Sequence, residues 1–136
     1  MTVLKQVGAL PVRKAGDGSV EILLVTSRDT GRWVIPKGWP SKRLTGSSAA
    51  SREAKEEAGV SGKITAKPIG SYRYRKFEKS SSRLIEVEVY RLSVKKERKR
   101  WPEKVQRNRA WFNLETAARR VREPRLKTLI GALRKA

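Results

Sequence analysis

The stretch Arg52-Glu53-Ala54-Lys55-Glu56-Glu57-Ala58-Gly59-Val60 constrains this chain more than any other. Ser47 or Ser48 can cap a helix that runs to about Gly59, where glycine supplies the left-handed stop. On such a helix, turning about 100° per residue, Glu53, Glu56 and Glu57 fall within an arc of about 100°. Carboxylates crowded in this way repel, and the Glu53/Glu57 pair at i, i+4 costs a few tenths of a kcal/mol. They also lie towards the helix C-terminus, the unfavourable end for negative charge. A cost of this kind points to a bound cation, because carboxylates on one helical face can hold Mg²⁺ with water and phosphate completing its shell. A solvated helix face, with Arg52 paired to Glu56, would account for the same spacing. Helix geometry alone leaves both readings open.

Around this helix the pattern is mostly strand. Strands are predicted over 3–12 and 20–26, separated by the turn Gly16-Asp17-Gly18, and a short one over 32–35 that ends at Pro36. Residues 36–46 hold two Pro and two Gly and read as a loop. Further strands are expected over 63–77 and 83–94. In the latter Leu84, Ile85, Val87, Val89 and Leu92 are interspersed with Glu86, Glu88 and Arg91. Residues 95–104 read as a basic loop, 109–113 as a short strand, and 114–122 and 125–134 as helices broken at Pro124. Strands around one central helix, with helices at the end, predict a mixed α/β sandwich in one domain spanning 1–136.

Composition removes whole classes of chemistry. The 136 residues include no cysteine and no histidine, which excludes disulfides, thiol nucleophiles, Ser-His-Asp triads and zinc sites built on Cys or His. A metal here must sit on oxygen, which favours Mg²⁺, Mn²⁺ or Ca²⁺. Lys and Arg number 33 against 13 Asp and Glu, a formal charge of +20. Residues 1–70 hold 12 basic and 6 acidic groups, and residues 71–136 hold 21 and 7. That excess attracts polyanions such as nucleic acid, acidic membranes or small polyphosphates. A disordered basic tail is disfavoured, because Trp101, Trp111, Phe112, Leu126, Leu129, Ile130 and Leu133 keep the second half apolar enough to fold. No apolar signal segment opens the chain and no run of about 18 apolar residues could span a bilayer, so a cytoplasmic location without membrane contact is expected.

Upstream of the helix lies Trp33-Val34-Ile35-Pro36-Lys37-Gly38-Trp39-Pro40, with Arg52 fourteen positions after Gly38. Here the sequence resembles the Nudix hydrolase family, whose box reads G-x5-E-x7-R-E-U-x-E-E-x-G-U with U a bulky apolar residue. Gly38, Arg52, Glu53, Glu56, Glu57, Gly59 and Val60 match it in register across 23 positions. Two positions depart: Leu44 stands where the box has its first Glu, and Ala54 is smaller than the usual U. Thr26-Ser27-Arg28, Arg107-Asn108-Arg109-Ala110-Trp111-Phe112 and the terminal helices resemble the diphosphoinositol-polyphosphate phosphohydrolase and dinucleoside polyphosphate hydrolase branch.

The resemblance implies a Nudix-type α/β/α sandwich with a mixed sheet. It also implies a hydrolase that cleaves a phosphoanhydride bond with Mg²⁺ or Mn²⁺. Glu53 and Glu57 would be the main metal ligands, Glu56 a further ligand or base, and the Gly38 carbonyl would complete the metal site. Arg52 would orient the carboxylates, the four side chains forming the catalytic set. Ser27, Arg28, Lys37, Trp39, Arg83, Arg107 and Arg109 would bind substrate. Glu97 and Glu103 lie where some relatives place a water-activating base. Trp33 and Trp111 are expected in the core, and Trp39 as a wall of the site. Substrates of high charge, diphosphoinositol or diadenosine polyphosphates, fit the +20 charge better than nucleotide sugars. The alternative is a basic Nudix-like domain that holds RNA or nucleotide with little or no turnover. The complete set Glu53, Glu56 and Glu57 argues for the enzyme. Oligomeric state is not readable.

Overall fold

The computed structural model describes residues 2–133, so the last residue of the helix expected over 125–134 lies outside it. Eight strands form one mixed sheet. They are β1 (Val3–Lys14), β2 (Val20–Thr26), β3 (Trp33–Val34), β4 (Lys37–Gly38), β5 (Val60–Ile64), β6 (Gly70–Glu78), β7 (Ser81–Glu97) and β8 (Arg109–Asn113). The central order is β3-β2-β1-β7-β5, with β4 on β1, β6 on β7 and β8 on β2. β1 runs parallel to β7 through ten residue pairs from Val3↔Leu84 to Val12↔Ser93, and the other pairings are antiparallel.

Alternation along the strands gives the sheet two apolar faces, as a strand's period of two requires. Leu10 and Val12 of β1, Ile22 and Leu24 of β2 and Ile85, Val87 and Val89 of β7 face one side. There they meet α2 (Leu114–Arg120) and α3 (Pro124–Gly131) through Ala117, Val121, Leu126 and Ile130. Val7 and Ala9 of β1, with Leu23 and Val25 of β2, face the other side. That side is covered by α1 (Gly46–Glu53) and the π turn that continues it (Ala54–Ala58). This helix presents only alanines to the sheet, Ala49, Ala50, Ala54 and Ala58, all fully or nearly fully buried. Alanines bring its axis close to the strands, which is why a small residue suffices at 54. The result is the expected α/β/α sandwich with a mixed sheet.

Beyond shifts of a few residues at element ends, four features differ from the sequence reading. The α1 cap is Thr45, not Ser47 or Ser48: its hydroxyl accepts from the Ser48 N–H at 3.2 Å. The strand expected over 63–77 is two strands, parted by a segment around Pro68, which has no N–H for a ladder. Within the predicted loop, Lys37 and Gly38 pair with Gly8 and Val7 of β1. The basic run is partly strand, because Lys96 and Glu97 of β7 pair with Ser61 and Val60 of β5.

Candidate active site

The C-terminal half of the carboxylate helix and the β4 segment meet beside a cleft of about 520 Å³. The helix does not stay α-helical. From Ala54 it widens into a π turn that Gly59 closes in the left-handed conformation, φ 69°. A turn closed by i→i+5 hydrogen bonds brings Glu57 more nearly above Glu53 and rotates Glu56 further round the axis. Accordingly Glu53, Glu57 and Arg52 line the cleft and Glu56 does not. Glu56 contributes its carbonyl to the packing, accepting from the Glu103 N–H at 3.1 Å.

Glu57 is the most constrained of the three. It is 7% exposed, accepts from the Lys37 N–H at 3.2 Å, and has the Arg107 guanidinium 3.4 Å away. Burial pushes its carboxyl up to about 7, against the pull of Arg107 and Lys37. Burial and the neighbouring Glu56 raise Glu53 as well, and its carboxyl lies within hydrogen-bonding reach of Glu57. Burial also pushes the Lys37 ammonium down to about 8, with Glu57 opposing. Gly38 leaves no room beside it: a Cβ there would fall on the Glu53 carboxylate.

These residues fit a hard divalent cation. Two facing carboxylates concentrate negative charge against a backbone without a side chain, and Mg²⁺ is commonly held by one or two carboxylates plus substrate phosphate. Among the described residues, no three acidic side chains are grouped closely enough to hold a metal by themselves. Of the three box carboxylates, Glu53 and Glu57, the two expected as main ligands, line the cleft, and Glu56, expected as a further ligand or base, does not.

Of the residues expected to bind substrate, Ser27, Arg28, Lys37, Trp39 and Arg107 line the cleft. Trp39 is 44% exposed there, a wall rather than core, whereas Trp33 packs edge-on against Phe112 at 5.0 Å and Trp111 packs against the α1 side of the sheet. Arg83 and Arg109 do not line it. Arg83 pairs with Glu78 at 2.6 Å across the β6–β7 hairpin, its guanidinium 5.9 Å from the Trp39 ring. Arg109 lies behind the helix, stacked on Trp101 at 3.9 Å and donating to the Ala58 carbonyl at 2.8 Å. Of the two late carboxylates, Glu103 lines the cleft and accepts from Arg107 Nε at 2.7 Å. Glu97 instead accepts from the Trp111 indole and lies within ion-pair distance of Arg13 and Arg109.

The cleft also contains residues that sequence reasoning passed over: Gln6, Arg32, Tyr74 and Arg122. Gln6 carried a signal, being a polar side chain inside the apolar run of β1. It is 6% exposed and accepts from the Tyr74 hydroxyl at 2.9 Å. Arg32 carried none, since its place depends on Glu123, which it meets at 2.8 Å from the far end of the chain. Eight cationic side chains line the cleft against four acidic ones, so as a whole its lining favours an anion.

The NUDIX domain family model matches residues 4–131. Nudix hydrolase 13, mitochondrial, of Arabidopsis thaliana is 35% identical over 111 residues, which is 74% of this chain and 53% of that protein. The diphosphoinositol polyphosphate phosphohydrolase 3-beta of Homo sapiens is 37% identical over 100 residues, 71% of this chain and 57% of that protein. The chain thus spans about half the length of these relatives. A solved C. elegans Ap4A hydrolase binary complex superposes with a TM-score of 0.67 at 25% identity, covering 95% of this chain and 93% of that one.

Proposed function

The chain belongs to the NUDIX domain family, and on that premise we propose that it is a divalent-metal-dependent pyrophosphohydrolase. Its substrate is a compact, highly phosphorylated molecule, with diphosphoinositol and diadenosine polyphosphates ahead of nucleotide sugars. One observation carries this reading: Glu53 and Glu57, within hydrogen-bonding reach of each other, line a cleft whose lining is otherwise mainly cationic. A bound Mg²⁺ or Mn²⁺ would neutralise phosphate oxygens and the charge that develops on them. Glu53 and Glu57 would hold it with the Gly38 carbonyl, and the missing side chain at 38 leaves the Glu53 carboxylate its place against that backbone. Arg28, Arg52, Arg75, Lys76 and Arg122 line the walls and supply donors to the remaining phosphates. Water adds to phosphorus as the anhydride P–O bond breaks. Its proton passes to one of the carboxylates facing the cleft, Glu53, Glu57 or Glu103.

The names of the relatives support the substrate class: one is a diphosphoinositol polyphosphate phosphohydrolase and another an Ap4A hydrolase. A second reading, a domain that binds RNA or nucleotide without turnover, draws on two observations. Leu44 replaces a box carboxylate, and Glu56 stands outside the cleft. One screen separates the two readings. Phosphate release is measured with Mg²⁺ and with Mn²⁺ on inositol pyrophosphates, dinucleoside polyphosphates, capped or triphosphorylated RNA ends, and nucleotide sugars. Release from the first two classes is expected; binding without release from any would favour the second reading.

A further inference from the structure

We propose that residues 98–109 form a strap that sets the position of the Glu53 and Glu57 carboxylates from behind, with Trp101 as its positioning residue. The idea rests on the reading of those two carboxylates as the metal-binding pair.

A helix leaves its last four carbonyls without partners inside the helix. N–H groups immediately beyond the end commonly answer some of them, and water answers the rest. Here the four consecutive carbonyls of residues 56–59 all accept from the strap. The Glu103 N–H donates to Glu56 O at 3.1 Å, and the Trp101 indole N–H to Glu57 O at 3.1 Å. Arg109 Nη1 donates to Ala58 O at 2.8 Å, and the Arg98 N–H to Gly59 O at 2.8 Å. Two of these donors come from side chains that lock each other. The Arg109 guanidinium stacks 3.9 Å from the Trp101 ring centroid and donates a second bond to Arg98 O at 2.6 Å. Gly59 is the surface on which both rest: a Cβ there would meet Trp101 and Arg109 atoms at 2.8 Å each.

The strap also reaches the Glu57 carboxylate directly. Arg107 extends inward to Glu57 at 3.4 Å and is itself held by Glu103 at 2.7 Å and by the Thr26 carbonyl at 3.1 Å. Trp101 does not line the cleft; it lines a separate, more open pocket that meets the cleft at Arg107. It acts through the turn it holds. Orienting partners one shell out from a metal typically change affinity or activity by about 10- to 100-fold when removed.

The test is Trp101→Phe, which keeps an aromatic ring beneath Arg109 and deletes only the indole donor to Glu57 O. Trp101→Leu, which also removes the stacking, should show a larger effect. Mn²⁺ binding is followed by the paramagnetic signal of the free ion, and kcat and KM are measured at saturating metal. In the metal-free protein, amide exchange of Arg98 and Glu103 and the Glu57 ¹³Cδ resonance are compared with wild type. The expected result is an unchanged number of Mn²⁺ sites with a Kd weakened about 10- to 100-fold. The value of kcat falls while KM holds, the two amides exchange about tenfold faster, and the ¹³Cδ resonance moves.

A fall in the number of sites with unchanged Kd would be simple loss of folded protein and would overturn the proposal. Faster exchange with neither Kd nor the ¹³Cδ resonance altered would overturn it too, since the strap would then hold backbone without setting carboxylates. Wild-type protein that binds no Mn²⁺ would instead sink the functional reading. The metal-free arm then decides the strap alone, and an unmoved Glu57 resonance rejects it.

Discussion

Gly38 and Glu53 occupy space that only one of them can fill. A methyl group at 38 would fall on the Glu53 carboxylate, which is the free end of a flexible side chain rather than backbone. Gly38→Ala should therefore push the carboxylate aside without breaking the fold. We expect turnover to drop by about tenfold or more while Tm stays within a few degrees, read by phosphate release beside a thermal melt. Glu53→Gln and Glu57→Gln should likewise be harmless to the metal-free fold, because each removes, at nearly constant volume, a charge that burial disfavours. Their metal-free Tm should equal or exceed that of wild type. Leu44 is a different case. It is 36% exposed and does not line the cleft, so Leu44→Glu should leave Mn²⁺ affinity unchanged. Tighter binding in that variant would show that the loop reaches the site. At this scale the closeness of Glu53 and Glu57 was legible, because i, i+4 spacing puts them on one helical face, whereas the placing of Glu56 was not, because the π turn rotates it out of the cleft. Arg83 and Arg109 were not, since an arginine's direction is set by whatever acceptor it finds, here Glu78 for one and the Ala58 carbonyl for the other.

Elements were legible where a local rule decides them and less so where a partner does. Alternation marked β7 and glycine marked the end of the helix at 59, both local signals. The π turn left no trace in the sequence: the same residues suit an α-helix, and the wider turn is held by donors from 98–109. The extension of β7 to Glu97 was hidden for a related reason. Lys95 and Lys96 read as loop, but β5 supplies the ladder that keeps them extended. Gly59 joins these two levels, since its φ of 69° and its contact with Trp101 and Arg109 both exclude a side chain. Gly59→Ala is expected to cost about 2–4 kcal/mol, combining left-handed strain with overpacking. Chemical denaturation would measure it. A loss below about 1 kcal/mol would mean that the strap yields easily.

The whole molecule combines a two-faced apolar sheet with a charge of +20, and the two properties serve different ends. The sheet and its helices hold the cleft, while the charge governs what enters it. Electrostatic attraction of a polyanion is screened over about 8–10 Å at physiological ionic strength. The specificity constant for diadenosine hexaphosphate or an inositol pyrophosphate should therefore fall steeply with added salt, and that for ADP-ribose much less. Preference for ADP-ribose with little salt dependence would contradict the substrate class. The α/β/α arrangement was visible in the order of strands and helices, but the cleft was only partly so, because Arg32, Tyr74 and Arg122 reach it from separate elements. What everything else depends on is that the Glu57 carboxylate takes part in the reaction. The decisive measurement is the turnover of Glu57→Gln on diadenosine hexaphosphate at saturating Mg²⁺, beside wild type. A fall of at least about 100-fold in a variant that melts like wild type is predicted; turnover equal to wild type would contradict it.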